Sequence, residues 1–414
     1  MSTNKLKIIN DPVHGFIKIP YEILFDVIEH PYFQRLRRIS ATGLLNLIFP
    51  GATHTRFHHS LGAMHLMYTA LETLKQKGVK ISDEEEKSAM LAILLHDVGH
   101  GPFSHALESL LMEDWHHEKL SILLMKKLNE EFNGELHLAL EMFQGKYSRK
   151  FFHQLISSQL DVDRLDYLKR DSFFTGVSEG SVNTQRIISM MNVCEDELVI
   201  DEKGVYSIEN FLTARMFMYW QVYYHKTSAL AEHLLVKILN RAKQLISEGK
   251  NIEAYGNLKY FLYKTNFEKA TDEVINRFTQ LDDTDMLSAI KMWQNADDFV
   301  LSYFCKAVAQ RKFPKTVFSS HPFEQDLINE KIKKANHFFE IDNGELLVEQ
   351  ISRTLLPYDT EKQPIFLLNK SGEKIKLEDA ETQILSAHIN QPTTKNILYF
   401  PREISNGAFD VKKY

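Results

Sequence analysis

The sequence predicts a mainly α-helical fold, a bundle of helices with small β-ribbons and a smaller C-terminal α+β lobe. Three observations predict it. Apolar residues recur at spacings of three and four through residues 20–310, the period of a helix face. The segment EKSAMLAILLHD at 86–97 is apolar on nearly every side, as a helix buried in the middle of a bundle must be. Stretches of β-type residues are few and short.

Along the chain, Leu61, Met64, Tyr68, Leu71 and Leu74 mark the buried stripe of one helix, and Gly99 with Pro102 halts the apolar helix that follows. SSQLDVDRLDYLKRDS at 157–172 keeps a helical phase. ELVID at 197–201 and VYSI at 205–208 read as a ribbon across a short turn. LDDTD at 281–285 lacks the glycine and the length of an EF-hand loop and reads as a helix N-cap. PIFLLNKSGEKIKL at 364–377 reads as a hairpin turning at Ser371-Gly372. A soft change of composition near 270–315 divides residues 1–312, the main helical domain, from the lobe at 313–414.

Composition narrows the function. The chain of 414 residues has room for two to three domains at roughly 150 residues each. With 44% hydrophobic and 25% charged residues it is an ordinary globular chain. A net charge of −6 and a pI near 6.3 give no basic footprint, so nucleic acid is not an expected partner. No apolar run approaches the ~20 residues of a membrane helix, and the N-terminus lacks a secretory h-region. Cys194 and Cys305 are isolated, which predicts neither a disulfide nor a thiolate zinc site and points to the cytoplasm.

Nine of the 18 histidines lie between His54 and His117, where uniform scatter would put about three. Histidines crowded into apolar helices need partners, and a metal is a common one. HDVGHGPFSH at 96–105 ends the buried helix with adjacent His96 and Asp97, His59 offers a second imidazole, and Asp163 and Asp166 bring carboxylates with Tyr167 and Arg170 nearby. Two imidazoles and two carboxylates without a thiolate suit Mn, Fe(II), Zn or Mg with positions left open for water and substrate.

These residues resemble those of the HD-domain phosphohydrolases, in particular the dNTP triphosphohydrolase branch typified by the sterile-alpha-motif and HD-domain protein and bacterial dGTPase-like proteins. The resemblance runs through NDPVHG (10–15), FQRLRRI (33–39), FPGATHTRFHHSLG (49–62), HDVGHGPFSH, WHHEKLS (115–121), LDVDRLDYLKRD (160–171) and YYHK (223–226), about 240 residues in order. It implies an HD-domain helical bundle with a metal core at about 50–175, and His59, His96, Asp97 and Asp163 as metal ligands. It implies that His117 is the catalytic acid, with Glu118 behind it and His100 and His105 in the same pocket. Arg56 and Arg164, the latter at a position where relatives carry Lys, would bind phosphate, and Tyr167, Asp171, Arg215 and Tyr223 match substrate-pocket positions. Where relatives carry a Gln-Leu pair that excludes ribose, this chain has Ala41 and Thr42.

The implied reaction is attack of metal-activated water on the α-phosphorus of a dNTP, releasing a deoxynucleoside and intact triphosphate. Lys7, Asn10, Gln34, Arg37, Arg186, His225 and Lys226 match positions that bind an activating nucleotide between subunits of a homo-oligomer, a dimer or tetramer, and Glu29 stands where relatives carry a guanine-reading Asp. Two other functions stay open: a phosphohydrolase of another nucleotide or phosphorylated metabolite, and a nucleotide-sensing oligomer. By spacing alone Arg35, Arg37 and Arg38 read as a solvated face, His225-Lys226 as the polar end of a packing helix, and Phe211, Phe217, Tyr219 and Trp220 as core or interface.

Overall fold

The computed structural model describes residues 7–103, 106–112, 115–264, 267, 270–380 and 391–405. An antiparallel hairpin opens it, β1 (Lys7–Asp11) and β2 (Gly15–Ile19). Gly15 at the turn holds φ +76°, a conformation that side chains resist. Short helices α1 (Glu22–Glu29) and α2 (Pro31–Gln34) lead to α3 (Arg56–Gln76) and α4 (Asp83–Leu95). Ser82 and Glu85 cap α4 reciprocally. From Ser88 to Leu95 every residue of that helix is buried, as its all-round apolar sequence predicts.

Next come α5 (Glu108–Leu111), α6 (His117–Glu131), α7 (His137–Phe143), α8 (Lys150–Ile156) and α9 (Val162–Thr175). Asp161 caps α9, its carboxylate accepting from the Arg164 N–H at 2.7 Å, and Gly176 ends it at φ +75°. After α10 (Thr184–Met190), strands β3 (Met191–Cys194) and β4 (Glu197–Asp201) form the predicted ribbon, but with a different partner. VYSI is the first turn of α11 (Val205–Met218), not a strand. Ile208 and Val205 bury against the helical core, and that packing overrides their β-type local preference.

A π-turn at Tyr219–Tyr223 joins α11 to α12 (Lys226–Ser247). Four more helices follow, α13 (Gly256–Tyr263), α14 (Asp272–Phe278), α15 (Asp283–Trp293) and α16 (Phe299–Ala309). LDDTD is the expected N-cap: the Asp282 carboxylate accepts from the Thr284 N–H at 2.9 Å. The remaining elements are β5 (Lys315–Ser319), α17 (Gln325–Phe339), β6 (Glu349–Leu355), β7 (Phe366–Leu368), β8 (Lys374–Lys376) and β9 (Thr393–Phe400). The β7–β8 hairpin turns where the sequence predicts, with Gly372 at φ +84°.

The described residues after 312 contribute both to the main core and to a smaller cluster. β9 lies between β5 and β6, with Leu398 and Phe400 beside Ala335 of α17 and Ile397 and Tyr399 in the main core. β7 pairs in parallel with β4, completing a four-stranded sheet β3-β4-β7-β8. The Gln159 side chain donates to the carbonyls of Asp359 (2.5 Å) and Gln363 (2.7 Å). Phe323, Ala335, Val348, Leu398, Phe400 and Ile404 form a small core of their own. Among the described residues, no helix is long and apolar enough to cross a membrane.

Candidate metal centre and its cavity

Helices α3, α4 and α9 meet at one point. His59 sits in the first turn of α3, His96 follows the last residue of α4, and Asp163 lies in the first turn of α9. The His59 and His96 Nε2 atoms are 3.3 Å apart, and Asp163 Oδ1 is 2.9 Å from the first and 3.4 Å from the second. Ligands at the usual bond length of about 2.0–2.2 Å from one ion stand roughly 3.0–3.4 Å from each other, so the spacing fits a divalent cation. His59 donates from Nδ1 to Asp166 (2.8 Å) and His96 from Nδ1 to the Ile93 carbonyl (2.6 Å), which leaves both Nε2 lone pairs for an ion. These three residues form a group able to hold a metal. Asp97 adjoins it, with Oδ1 3.3 Å from His96 Nε2 and Oδ2 3.8 Å from His59 Nε2, and also accepts from Arg56.

The centre pulls strongly on positive charge. Burial opposes protonation of His59, yet Asp163 and Asp166 hold its pKa up at about 10. Burial favours a neutral Asp163, but His59 and His96 keep its carboxyl below the usual range. Buried charged groups behind His59 hold it in place. Asp166 accepts from His14 Nε2 (2.7 Å) and from Arg170 Nε (2.9 Å) and Nη2 (3.0 Å), and Arg170 Nη1 reaches Asp11 (2.8 Å). Asp11 in turn takes the Val13 and His14 N–H groups at 2.9 Å each, so the hairpin turn is tied to the ligand helix. The sequence reading of the centre omits Asp11 and His14; their only signal is the motif NDPVHG.

Gly62 and Gly99 supply room. A β-carbon on Gly62, one turn beyond His59, would lie 2.0 Å from Asp166 Oδ1 and 2.2 Å from Arg170 Nη2. One on Gly99 would lie 2.3 Å from the His117 carbonyl oxygen. The close approach at Gly99 brings His117, the first residue of α6, beside the loop that follows His96.

The centre opens into a cavity of about 1010 Å³. Ala41, Thr42, Arg56, His100, His117, Glu118, Arg164, Tyr167, Asp171 and Tyr223, all expected from the sequence, line it. His117 and His100 stack with ring centroids 4.0 Å apart, and burial, with Arg56 nearby, pushes His100 down to about 3. Glu108 Oε1 lies 2.9 Å from His117 Nδ1, a partner in addition to Glu118, the acid that the resemblance implies behind His117. α5 brings Glu108 across to the His117 ring. Burial resists charge on Glu108, yet the ring and backbone N–H groups of His117 hold its carboxyl down at about 2.

Asp171 accepts from Tyr223 (2.5 Å) and from His54 (2.7 Å), which orients both. Arg164 donates to the Ser158 carbonyl at 2.6 Å. Arg215 does not line the cavity; it donates to the Pro357 carbonyl at 3.2 Å behind Tyr219. Tyr219, read as core or interface, does line it, as do Lys146 and His153, which the sequence reading omits. His105 lies outside the described residues. Lys7, Asn10, Glu29, Gln34, Arg37, Arg186, His225 and Lys226 do not line this cavity. Arg37 and Gln34 are paired at 2.8 Å, and the His225 ring caps α12. Arg35, expected on a solvated face, is 1% exposed and donates to the carbonyls of Val98 (2.8 Å) and Leu281 (3.2 Å).

Comparisons with known proteins agree with this architecture. A family profile described as the HD domain matches residues 56–171, and one described as the HD associated region matches 182–282. The protein YwfO of Bacillus subtilis is 33% identical over 413 residues, covering 96% of this chain and 93% of its own. A crystal structure of a phosphohydrolase from Bacteroides thetaiotaomicron superposes with a TM-score of 0.92 at 44% identity, covering 96% of this chain and 100% of that one. The deoxynucleoside triphosphate triphosphohydrolase SAMHD1 homolog of Dictyostelium discoideum is 31% identical over 61% of this chain, which spans 52% of that protein's length. With its HD domain, its HD associated region and these relatives, the chain belongs to the HD-domain phosphohydrolase family and is homologous to the SAMHD1 dNTP triphosphohydrolases.

Proposed function

We propose that the protein is a metal-dependent dNTP triphosphohydrolase, releasing deoxynucleoside and triphosphate, and that it assembles as a nucleotide-activated homo-oligomer. One observation carries the reading: the His59–His96–Asp163 group, the cations Arg56, Arg164 and Lys146, and His117, whose Nδ1 is held by Glu108, all line one cavity of nucleotide size or larger. A divalent cation held by His59, His96, Asp163 and the adjoining Asp97 would supply Lewis acidity at a phosphoryl oxygen and lower the pKa of water. The chain's own residues do the rest. Arg56, Arg164 and Lys146 neutralise and place the phosphates. With Nδ1 committed to Glu108, His117 presents Nε2 and passes a proton to the departing 5′ oxygen as water joins the α-phosphorus. The test is to incubate metal-loaded protein with each dNTP and NTP, singly and in pairs, and to separate products by ion exchange. Free triphosphate supports the reading; release of single phosphates supports a phosphatase of another substrate instead.

Glu108→Gln is expected to lower kcat by roughly 10- to 100-fold, the cost of losing an orienting partner, and Glu118→Gln by much less. Equal losses in the two variants would return the role to Glu118.

At the sugar, Ala41 cannot donate a hydrogen bond, and Thr42 Oγ1 is buried without a partner beside it. A hydrogen bond to a neutral hydroxyl is worth about 0.5–1.5 kcal/mol, so dNTP-over-NTP selectivity is expected to be relaxed by roughly tenfold relative to relatives with the Gln-Leu pair. Comparing kcat/KM for dGTP and GTP in wild type and Ala41→Gln checks this. Rejection of ribose by many orders of magnitude in the wild type, unchanged by the substitution, would place sugar reading elsewhere.

The activator reading rests on the family match of the exposed residues Asn10, Arg37, Arg186 and Lys226. Linkage requires an activator to bind the active assembly more tightly than the inactive one. Arg37→Ala should therefore weaken activation and assembly while metal content stays constant. A monomer fully active with every nucleotide would exclude the activator.

A further inference from the structure

The proposed reaction uses the cationic side of the cavity and leaves the first turns of α12 without a role. Ser228 and Glu232 both line the cavity there, four residues apart on one helix face. Ser228 is 4% exposed, and its Oγ has no hydrogen-bond partner. Such a bare buried hydroxyl is costly unless a ligand completes it. Glu232 makes no hydrogen bond or ion pair among the described residues; burial pushes its carboxyl up to about 7, and the charge of Arg353 pulls the other way. An acid facing a triphosphate would repel it. The cavity's lysine and arginines come from α3, α9 and the turn after α7, and none from α12. The α12 wall therefore receives the uncharged part of the ligand, and the rings of Tyr219, Tyr223 and Tyr224 on the same wall offer it flat faces.

Taking the dNTP reading as given, we infer that Ser228 and Glu232 read the Watson–Crick edge of guanine and make this chain selective for guanine nucleotides. That edge presents an acceptor and then two donors: O6, N1–H and the exocyclic amine. The Ser228 hydroxyl donates to the first, and the two Glu232 oxygens accept the others. Adenine, cytosine and thymine each set at least one lone pair against the carboxylate.

The test compares dGTP with dITP, which lacks only the exocyclic amine, in turnover and in equilibrium binding. A hydrogen bond to a charged group is worth roughly a ten- to hundredfold factor, so wild type is expected to favour dGTP over dITP by at least tenfold. Glu232→Gln keeps the shape but replaces an acceptor with a donor, and should bring the ratio close to one. Ser228→Ala should weaken both nucleotides alike, because both carry O6. Equal use of dGTP and dITP by wild type, or a ratio that survives Glu232→Gln, overturns the inference while leaving triphosphohydrolysis standing. Preferential binding of dGTP without hydrolysis of any dNTP would support the base site and overturn the triphosphohydrolase reading. Absence of both binding and hydrolysis would overturn the two together.

Discussion

Asp163→Ala is expected to empty the metal centre and lower hydrolysis by about a thousandfold or more, because a Lewis acid at the phosphoryl group is worth several kcal/mol, while stability changes little. The contrast with Asp97→Ala makes the expectation sharp. Asp163 has a side chain 28% exposed, and its near contacts are His59 and His96. The Asp97 side chain is 8% exposed, accepts from buried Arg56 and lies 3.2 Å from His100 Nδ1. Removing one partner of a buried ion pair costs about 3–5 kcal/mol, so Asp97→Ala should lose metal, activity and stability together. Metal content by mass spectrometry, product release and a denaturation midpoint separate the two variants. Full occupancy with undiminished turnover in Asp163→Ala would remove Asp163 from the ligand set.

Gly62→Ala is expected to destabilise the protein by roughly 1–3 kcal/mol, the usual cost of overpacking. The same change in an open helix would be favourable by about 1 kcal/mol. The added methyl would occupy the space of the Asp166 and Arg170 side chains. His59 would lose the acceptor on its Nδ1, and metal affinity should fall roughly 10- to 100-fold. A variant as stable as wild type, with unchanged metal affinity, would show that the Asp166–Arg170 pair can move aside without cost.

What the sequence made legible is what neighbouring residues encode. HDVGHGPFSH and LDVDRLDYLKRD announce a site because ligands, caps and apolar positions share one helical phase. Asp163, Tyr167 and Asp171 reach the cavity at spacings of four, and Asp166 and Arg170 face α3 at the same spacing. The partners hidden from that reading are joined through space. Glu108 meets His117 across a break between helices, and His14 meets Asp166 from 152 residues away. Neither pair leaves a periodic trace. Arg35 escapes the sequence for a related reason: a guanidinium among other arginines reads as solvated, yet two distant backbone carbonyls hold its Nη groups in the interior. VYSI failed because tertiary packing outranks local β preference.

The parallel pairing of β4 with β7 bears on how the chain is made. Ile200 finds its partner only at Leu367, about 167 residues later. At a synthesis rate of roughly 5–20 residues per second, the β3–β4 ribbon waits about 8–33 s on the ribosome with one edge open. An unpaired edge is a template for foreign strands. During that interval the nascent chain is most exposed to misassembly, and a holding chaperone would have most effect there.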